Sequence, residues 1–513
     1  LEADKNCRKV MKYILAIDMG TTAFKAAVYS EDGNECGSAT IEYVIQSPKP
    51  GWAEADVSLY EETFKKSTDA AIKKAGISAE DIFTIGMSVQ GETSIFLDSS
   101  NRVLRPAIVW FDTRAASEAK EIVEKFGSDA IQKHTGQVGE DAIWPGAKLI
   151  WLKKNEPEVF SKIDKILQLN GYFGYMLTGK TVGEDSILGS SVYWDINTRS
   201  YWSEMLDYIG ITENQLPEIC RPGECIGHVT SEAAEKFGFS ENTTVNIGGI
   251  DLACGAIGSG NTKPGSFSES IGTALCTMTM VDHIVHDPSM QMPCYCSAIP
   301  GLYMVHAYAT GGLYIKWFRD TFCETEKLVE KDGGMNAYDQ LDMMAAEVSA
   351  GADGLIALPH LQGSGPPDLF AAAKACFYGI TIAHEKKHFV RAIMESVAMV
   401  LCRIIEATEA LDVDVRDIIS IGGGTMSQVW CQIKADATGR KLITTKNNES
   451  ACCLGAAILA GVSSGVWTSV DEACKNMIQI EHIYEPDRET NEIYADLLKK
   501  YKKLMKCIRP MSE

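Results

Sequence analysis

The stretch Tyr13-Ile14-Leu15-Ala16-Ile17-Asp18-Met19-Gly20-Thr21-Thr22 decides the architecture. Five successive apolar residues predict a strand buried on both faces. A glycine with two hydroxyl residues then turns the chain, and Phe24-Lys25-Ala26-Ala27-Val28-Tyr29 continues as a second strand. Asp32-Gly33-Asn34 reads as a further hairpin turn. Helical periodicity follows over Leu59 to Ala75, then a strand over Ile82 to Val89. Short apolar runs alternating with amphipathic stretches are the rhythm of an α/β protein.

The opening device returns roughly 250 residues later, where Ser270-Ile271-Gly272-Thr273-Ala274 is flanked on both sides by apolar residues. A strand, turn and strand near the start of each half suggest a duplicated pair of domains. No low-complexity linker divides them. A chain of 513 residues has room for two or three domains, each with its own core.

The charge balance narrows the partners. Lysine and arginine number 48 against 69 acidic residues, a net charge of −21. Such a surface repels nucleic-acid backbones, so an anionic ligand must be held by local amides, hydroxyls or a metal. The 16 cysteines are scattered without a CxxC pair, which suits reduced thiols in a cytoplasmic protein. No secretory signal is evident, Leu1 is not a natural start residue, and Met11 is the candidate initiator. The most apolar window, Ala451 to Val466, is too short and too broken by glycine and serine to span a membrane.

Two short patterns match by letter and fail on context. Gly174-Tyr175-Met176-Leu177-Thr178-Gly179-Lys180-Thr181 satisfies the P-loop pattern, yet Asn170 to Leu177 reads as a helix ending at Gly179. His384-Glu385-Lys386-Lys387-His388 matches the zinc-protease pattern. It reads instead as an exposed loop between a Gly-Ile-Thr-Ile strand and a helix entered at Phe389, with no histidine placed to complete a zinc site.

Three other stretches carry chemistry. On the first turn, Asp18 can hold Mg²⁺ through water, while Gly20, Thr21 and Thr22 offer amides and hydroxyls to phosphate, although a plain β-turn fits equally well. Ile421-Gly422-Gly423-Gly424-Thr425 joins a strand (Ile418 to Ile421) to a helix beginning near Ser427. Adjacent glycines at that junction are costly to order and favour a nucleotide lying against the helix start. Asn246-Ile247-Gly248-Gly249-Ile250-Asp251 ends a strand and presents one aspartate at a helix start. Asp251 is either a cap, worth about 1 kcal/mol, or a general base for a substrate hydroxyl.

These stretches together resemble the FGGY family of carbohydrate kinases, within the actin/Hsp70/sugar-kinase superfamily. Two family patterns carry the resemblance. One is Pro145-Gly146-Ala147-Lys148-Leu149-Ile150-Trp151-Leu152 with Asn155, where Ile143 departs from the usual residue. The other is Ala375-Cys376-Phe377-Tyr378-Gly379-Ile380, a spacer, then His388-Phe389 and Ala392-Ile393-Met394-Glu395. The likeness extends from Met11 to about Arg488.

The resemblance implies two ribonuclease-H-like (actin-like ATPase) α/β domains with a central cleft. Residues 11–250 would bind sugar and carry the first phosphate loop, 251–485 would bind nucleotide, and 486–513 would form a C-terminal helix. It implies ATP and Mg²⁺ as cofactors, with Asp18 at the metal and Asp251 as catalytic base. Gly20, Thr21 and Thr22 resemble the first phosphate loop, and Gly272 and Thr273 the second. Gly422, Gly423 and Gly424 with Ser427 and Gln428 resemble the adenosine loop, and Gly312 and Lys316 fall where relatives contact nucleotide.

At the sugar end, Gln90, Glu92, Trp110, Asp112, Arg114 and Asp251 are the implied contacts. Ser88-Val89-Gln90-Gly91-Glu92-Thr93 resembles the glycerol-kinase element with glycine in place of arginine, and Gly91 is expected to leave room for a longer acceptor. Phe111 and Thr113 depart from the xylulose-kinase residues. The expected reaction is ATP-dependent phosphorylation of a ketose or polyol, xylulose favoured, with glycerol or gluconate as the alternatives. Outside the kinases, an actin- or Hsp70-like ATPase and a catalytically weak sugar-binding regulator share the phosphate loops. The expected partners are a small sugar and ATP, without nucleic acid or membrane, and a homodimer is left open.

Overall fold

The computed structural model describes residues 11–446 and 448–512, and these form two compact units. The first comprises the chain up to Gly258 together with Tyr295–Gly301 and Ser450–Ile478. The second takes Ser259–Cys294, Leu302–Glu449 and the chain from Gln479 onward. A single cut near residue 250 therefore misses two exchanges: residues 295–301 and 450–478, assigned from sequence to the second half, pack with the first.

In the first unit the sheet is built from β1 (Tyr13–Met19), β2 (Ala23–Ser30), β3 (Glu35–Glu42), β4 (Ile82–Val89), β5 (Cys225–His228) and β6 (Thr244–Asn246). A two-residue strand, β7 (Gly249–Ile250), extends the pairing on β4. The order is β5-β6-β4-β1-β2-β3, with β1 parallel to β4 and antiparallel to β2. Ile14, Leu15, Ala16 and Ile17 are wholly buried, as an apolar run covered on both faces requires. The helix Val57–Ala75 starts on an Asp56 cap that accepts from Ser58 N–H and stops at Gly76, whose φ of 70° suits glycine. The apolar window from Ala451 becomes the buried helix Ala451–Ser463. It packs so closely on β4 that a Cβ at Gly86 would lie 2.3 Å from Ala456 O.

The second unit repeats the plan. Its strands are β8 (Phe267–Ile271), β9 (Ala274–Val281), β10 (Tyr303–Thr310), β11 (Ile418–Ile421), β12 (Leu442–Thr445) and β13 (Ile480–Tyr484). Their order is β10-β9-β8-β11-β12-β13. β8 runs antiparallel to β9 and parallel to β11, as β1 does to β2 and β4. The remaining pairings also match in sense: β9–β10 and β2–β3, β11–β12 and β4–β6, β12–β13 and β6–β5. The duplication read from two Gly-Thr turns extends across both sheets.

The decoy P-loop is the helix Leu169–Thr178 ending at Gly179. The zinc-like stretch departs in detail from its expected form. The strand before it is Cys376–Tyr378, leaving Ile380 and Ile382 exposed in a turn, and the helix begins at Lys386 rather than Phe389. His388 is already buried in the first helical turn, where its Nδ1 accepts from Glu385 N–H at 2.9 Å. Capping, not metal binding, accounts for that histidine. Among the described residues no group of three or more potential ligands is arranged to hold a metal ion.

Candidate active site

Strand register assembles the site of the first unit. Met19 and Ile250 both pair with Val89, from β1 and β7 on either side of β4. The next residues, Gly20, Gln90 and Asp251, therefore leave the sheet side by side at the carboxyl ends of three parallel strands. That end of a parallel sheet is where α/β proteins place ligands. One step earlier, Asp18 and Gly249 both face Ser88 in register, and Ser88 Oγ donates to Asp18 Oδ1 at 2.8 Å. The chain reaches this arrangement through Gly248, whose φ of 68° and 1.5 Å approach of an added Cβ to Met87 O exclude any side chain.

Three carboxylates gather here. Burial pushes Asp18 up to about 6, against the opposing pull of Ser88 and Lys25. Burial pushes Asp251 up to about 8, and the charges of Asp18 and Glu92 add to the rise. Asp251 opens the helix Asp251–Ser259, but its Oδ1 accepts only from the adjacent Leu252 N–H at 2.7 Å. A capping side chain would take an N–H two or three residues on. The cap reading thus loses its hydrogen bond, and a half-buried carboxyl with one unpartnered oxygen remains.

Glu92 is buried in the left-handed region at φ 55°, a strained setting for a side-chain-bearing residue. Burial raises its pKa and lowers that of the buried Lys148, each moderated by the other's charge. Lys148 Nζ donates to Val109 O at 3.0 Å and Trp110 O at 2.7 Å, fixing the backbone beneath Trp110. Lys148 belongs to the family pattern over residues 145–152, which implies no site role for it. Its signal was a lone lysine inside an apolar helical run.

The remaining sugar-end residues separate into two groups. Gln90 is buried, its Nε2 donates to Tyr43 OH at 3.3 Å, and its Oε1 has no hydrogen-bond partner. Tyr43, which sequence reading missed, donates onward to Gly20 O at 2.5 Å and so braces the first turn. Trp110 Nε1 donates to Thr21 Oγ1 at 2.8 Å. Thr22 is exposed on the same turn.

Asp112 and Arg114, by contrast, have fully buried side chains spent largely on each other. Asp112 accepts from Ala53 N–H, from Arg114 N–H and from the Arg114 guanidinium at 2.8 and 2.7 Å. The guanidinium stacks 3.7 Å from the Trp52 ring centroid and also pairs with Glu54. Only Arg114 Nη1 is left without a partner. Gly91 does not open the expected space, because a Cβ there would meet Ile250 Cδ1 at 2.8 Å.

The second unit holds a cavity of about 560 Å³. Gly272, Thr273, Gly312, Lys316, Gly423, Gly424 and Ser427 all line it, while Gln428 is exposed and outside its wall. Gly312 N–H donates to Gly272 O at 2.7 Å, tying the helix Leu313–Phe322 to the turn after β8. Gly424 must be glycine, since a Cβ would lie 2.3 Å from Ile271 Cγ2. Lys180 of the decoy P-loop lines a different cavity, in the first unit, with Asp185, Arg199 and Arg221.

Residues 13–258 match the N-terminal domain of the FGGY family of carbohydrate kinases, and residues 268–464 match its C-terminal domain. The chain belongs to the FGGY family of carbohydrate kinases. Among its relatives, the xylulose kinase of Bacillus subtilis strain 168 is 28% identical over 96% of this chain and 97% of its own length. The gluconokinase of the same organism is 29% identical over 95% and 94%. The crystal structure of a ligand-bound xylulose kinase from Lactobacillus acidophilus superposes with a TM-score of 0.87 at 27% identity, covering 97% of this chain and 98% of that one. The fold of this FGGY kinase is the actin-like ATPase fold, and sugar kinases of the family use ATP. Within the superfamily, the match stands with the carbohydrate kinases rather than with the filament or chaperone ATPases.

Proposed function

We propose that this FGGY kinase transfers the γ-phosphoryl group of ATP to a terminal hydroxyl of a five-carbon ketose, xylulose first, with Asp251 as general base. The observation that carries the reading is Asp251 itself: a half-buried carboxyl with one oxygen unpartnered, beside Gln90 at the carboxyl end of the sheet. The acceptor hydroxyl gives its proton to Asp251 as its oxygen bonds to the γ-phosphorus and ADP departs. Phosphoryl transfer asks the protein mainly for positioning and charge stabilisation.

Gln90 Oε1 and Arg114 Nη1 are buried polar atoms without partners, one an acceptor and one a donor, and hydroxyls of a bound sugar would satisfy such atoms. Asp112 then acts as the brace that holds Arg114 rather than as a sugar contact. Gly20, Thr21 and Thr22 offer donors to phosphate, and Gly272, Thr273, Gly312, Lys316, Gly423, Gly424 and Ser427 form the nucleotide pocket.

Asp18 fits a divalent cation, because it is a half-buried carboxylate with only Oδ1 hydrogen-bonded, and desolvation, which raises its pKa, leaves its charge in need of a positive partner. Mg²⁺ bound there would neutralise phosphate charge and keep most of its water. Among the described residues every cysteine is a free thiol, which supports the cytoplasm as its compartment. A homodimer is compatible with this reading.

A coupled ADP-release screen over pentuloses, hexuloses, polyols and aldonates tests the proposal. A pentulose giving the highest kcat/KM supports it. Gluconate or glycerol giving the highest value replaces the acceptor and leaves the kinase chemistry standing.

A further inference from the structure

The nucleotide cavity of the second unit contains a carboxylate that phosphate binding does not explain. Its walls are largely apolar, with Ile271, Ile315, Leu341, Met394 and Trp430 suited to the faces of a flat ring. Asp342 lies in the same wall, on the helix Ala337–Ala346, and an acidic group beside a polyanionic ligand is unfavourable unless it meets a hydrogen-bond donor.

Asp342 is fixed in place. Ser427 Oγ donates to Asp342 Oδ1 at 2.8 Å while accepting from Trp430 N–H at 3.1 Å. Ser427, expected from sequence to touch nucleotide, has thus given its only proton to Asp342. Oδ2 of Asp342 has no hydrogen-bond partner and remains free to accept. Asp339, the other carboxylate of the wall, is exposed and no hydrogen bond anchors it.

We infer that Asp342 reads the nucleobase, its Oδ2 accepting from the exocyclic amine of adenine. This rests on the proposal that the cavity binds ATP and deepens it by naming a specificity-determining residue. With one oxygen committed to Ser427, the carboxylate offers a single acceptor, which suits the one exocyclic amine of adenine. A base with a carbonyl at that position would set oxygen against oxygen. Inosine triphosphate (ITP) is such a nucleotide, differing from ATP only around that position.

A hydrogen bond to a charged group contributes about 1.5–3 kcal/mol, or about 10–100-fold. ITP should therefore bind the wild-type protein about 10–100-fold more weakly than ATP. Titration calorimetry of ATP and ITP with magnesium, without sugar, reads this independently of turnover. In Asp342→Asn the amide can donate to the inosine carbonyl or accept from the adenine amine, so the ratio should fall to within about three-fold.

Ser427→Ala provides a second reading in which the carboxylate stays but loses its anchor. ATP affinity should fall several-fold with ITP affinity almost unchanged. A wild-type protein that does not discriminate, a ratio unchanged in Asp342→Asn, or equal losses for both nucleotides in Ser427→Ala would each overturn the inference alone. Failure of the wild-type protein to bind ATP at all would overturn the nucleotide reading of the cavity, and this inference with it.

Discussion

Trp110 and Thr21, 89 residues apart, are joined by a hydrogen bond from the indole Nε1 to the threonine Oγ1 at 2.8 Å. From the sequence, Trp110 is an expected sugar contact and Thr21 an expected phosphate donor. The direction of the bond matters, because Thr21 accepts here and keeps its own hydroxyl proton free to donate to phosphate. Lys148 holds the backbone carbonyl of Trp110, so the residue is anchored at both its main chain and its indole.

Trp110→Phe keeps an apolar ring but removes the donor, and Thr21→Val removes the acceptor. Each single change should lower kcat/KM about 10-fold, the scale of one net hydrogen bond. Because both delete the same interaction, the double variant should lose much less than 100-fold. Full additivity in steady-state kinetics would show that the two residues act independently.

Asp251→Asn keeps the size of the side chain but removes its basicity. Turnover should drop about 10²–10⁴-fold, the usual share of a general base, with ATP affinity little changed. The same variant has a stability signature. Asp251 titrates near 8 when folded and near the ordinary carboxyl value when unfolded, so the folded state holds the proton more tightly. Its relative contribution is intact below pH 4 and is lost as the pH rises through about 8. The ligand-free wild-type Tm should fall between pH 6 and pH 9. Asp251→Asn should flatten that decline and melt higher at pH 9. A variant with normal turnover would leave Asp251 without a catalytic role.

Lys180→Ala should leave ATP binding and turnover unchanged, because Lys180 lies at the end of a helix and lines a cavity of the first unit. Thr273→Val removes a hydroxyl from the nucleotide cavity and should raise the KM for ATP about 5–10-fold. Steady-state ATP titrations of both variants distinguish the letter-perfect P-loop from the turn proposed to bind phosphate. Loss of ATP binding in Lys180→Ala with the fold intact would reverse that assignment.

The parts of this molecule legible in the sequence share a physical cause. The runs Tyr13–Ile17 and Ile82–Val89 read as buried strands because both faces are covered, and the Gly-Gly-Gly run reads as a junction between strand and helix because adjacent glycines are costly to order elsewhere. The exchange of residues 450–478 was invisible, since which sheet a helix packs on depends on close glycine contacts such as Gly86 against Ala456, far apart in sequence. Tyr43, Lys148 and Asp342 were missed for a related reason. Each is placed by hydrogen bonds to residues far away in sequence, which local spacing does not show, although Lys148 stood out as a lone lysine in an apolar helical run. Gly91 misled because absence of a side chain was taken for open space that Ile250 fills.

The burial of Asp112 and Arg114 reshapes what the acceptor experiment should show. Were Arg114 a surface sugar contact, Arg114→Lys would retain much of its function through the charge alone. Here the planar guanidinium is bound by both Asp112 oxygens, stacked on Trp52 and paired with Glu54, an arrangement an ammonium cannot reproduce. Arg114→Lys and Arg114→Ala should therefore both impair the kinase strongly, because each leaves the Asp112 carboxylate buried with only part of its hydrogen bonding. If Arg114 Nη1 also meets a sugar hydroxyl, the loss in kcat/KM should be greater for a five-carbon ketose than for glycerol, which has fewer hydroxyls to offer. Measuring both acceptors in both variants, with thermal melting to correct for lost stability, separates the two effects. Equal losses for the two acceptors would confine Arg114 to bracing the site, and unchanged kinetics for every sugar would remove the pair from the acceptor pocket altogether.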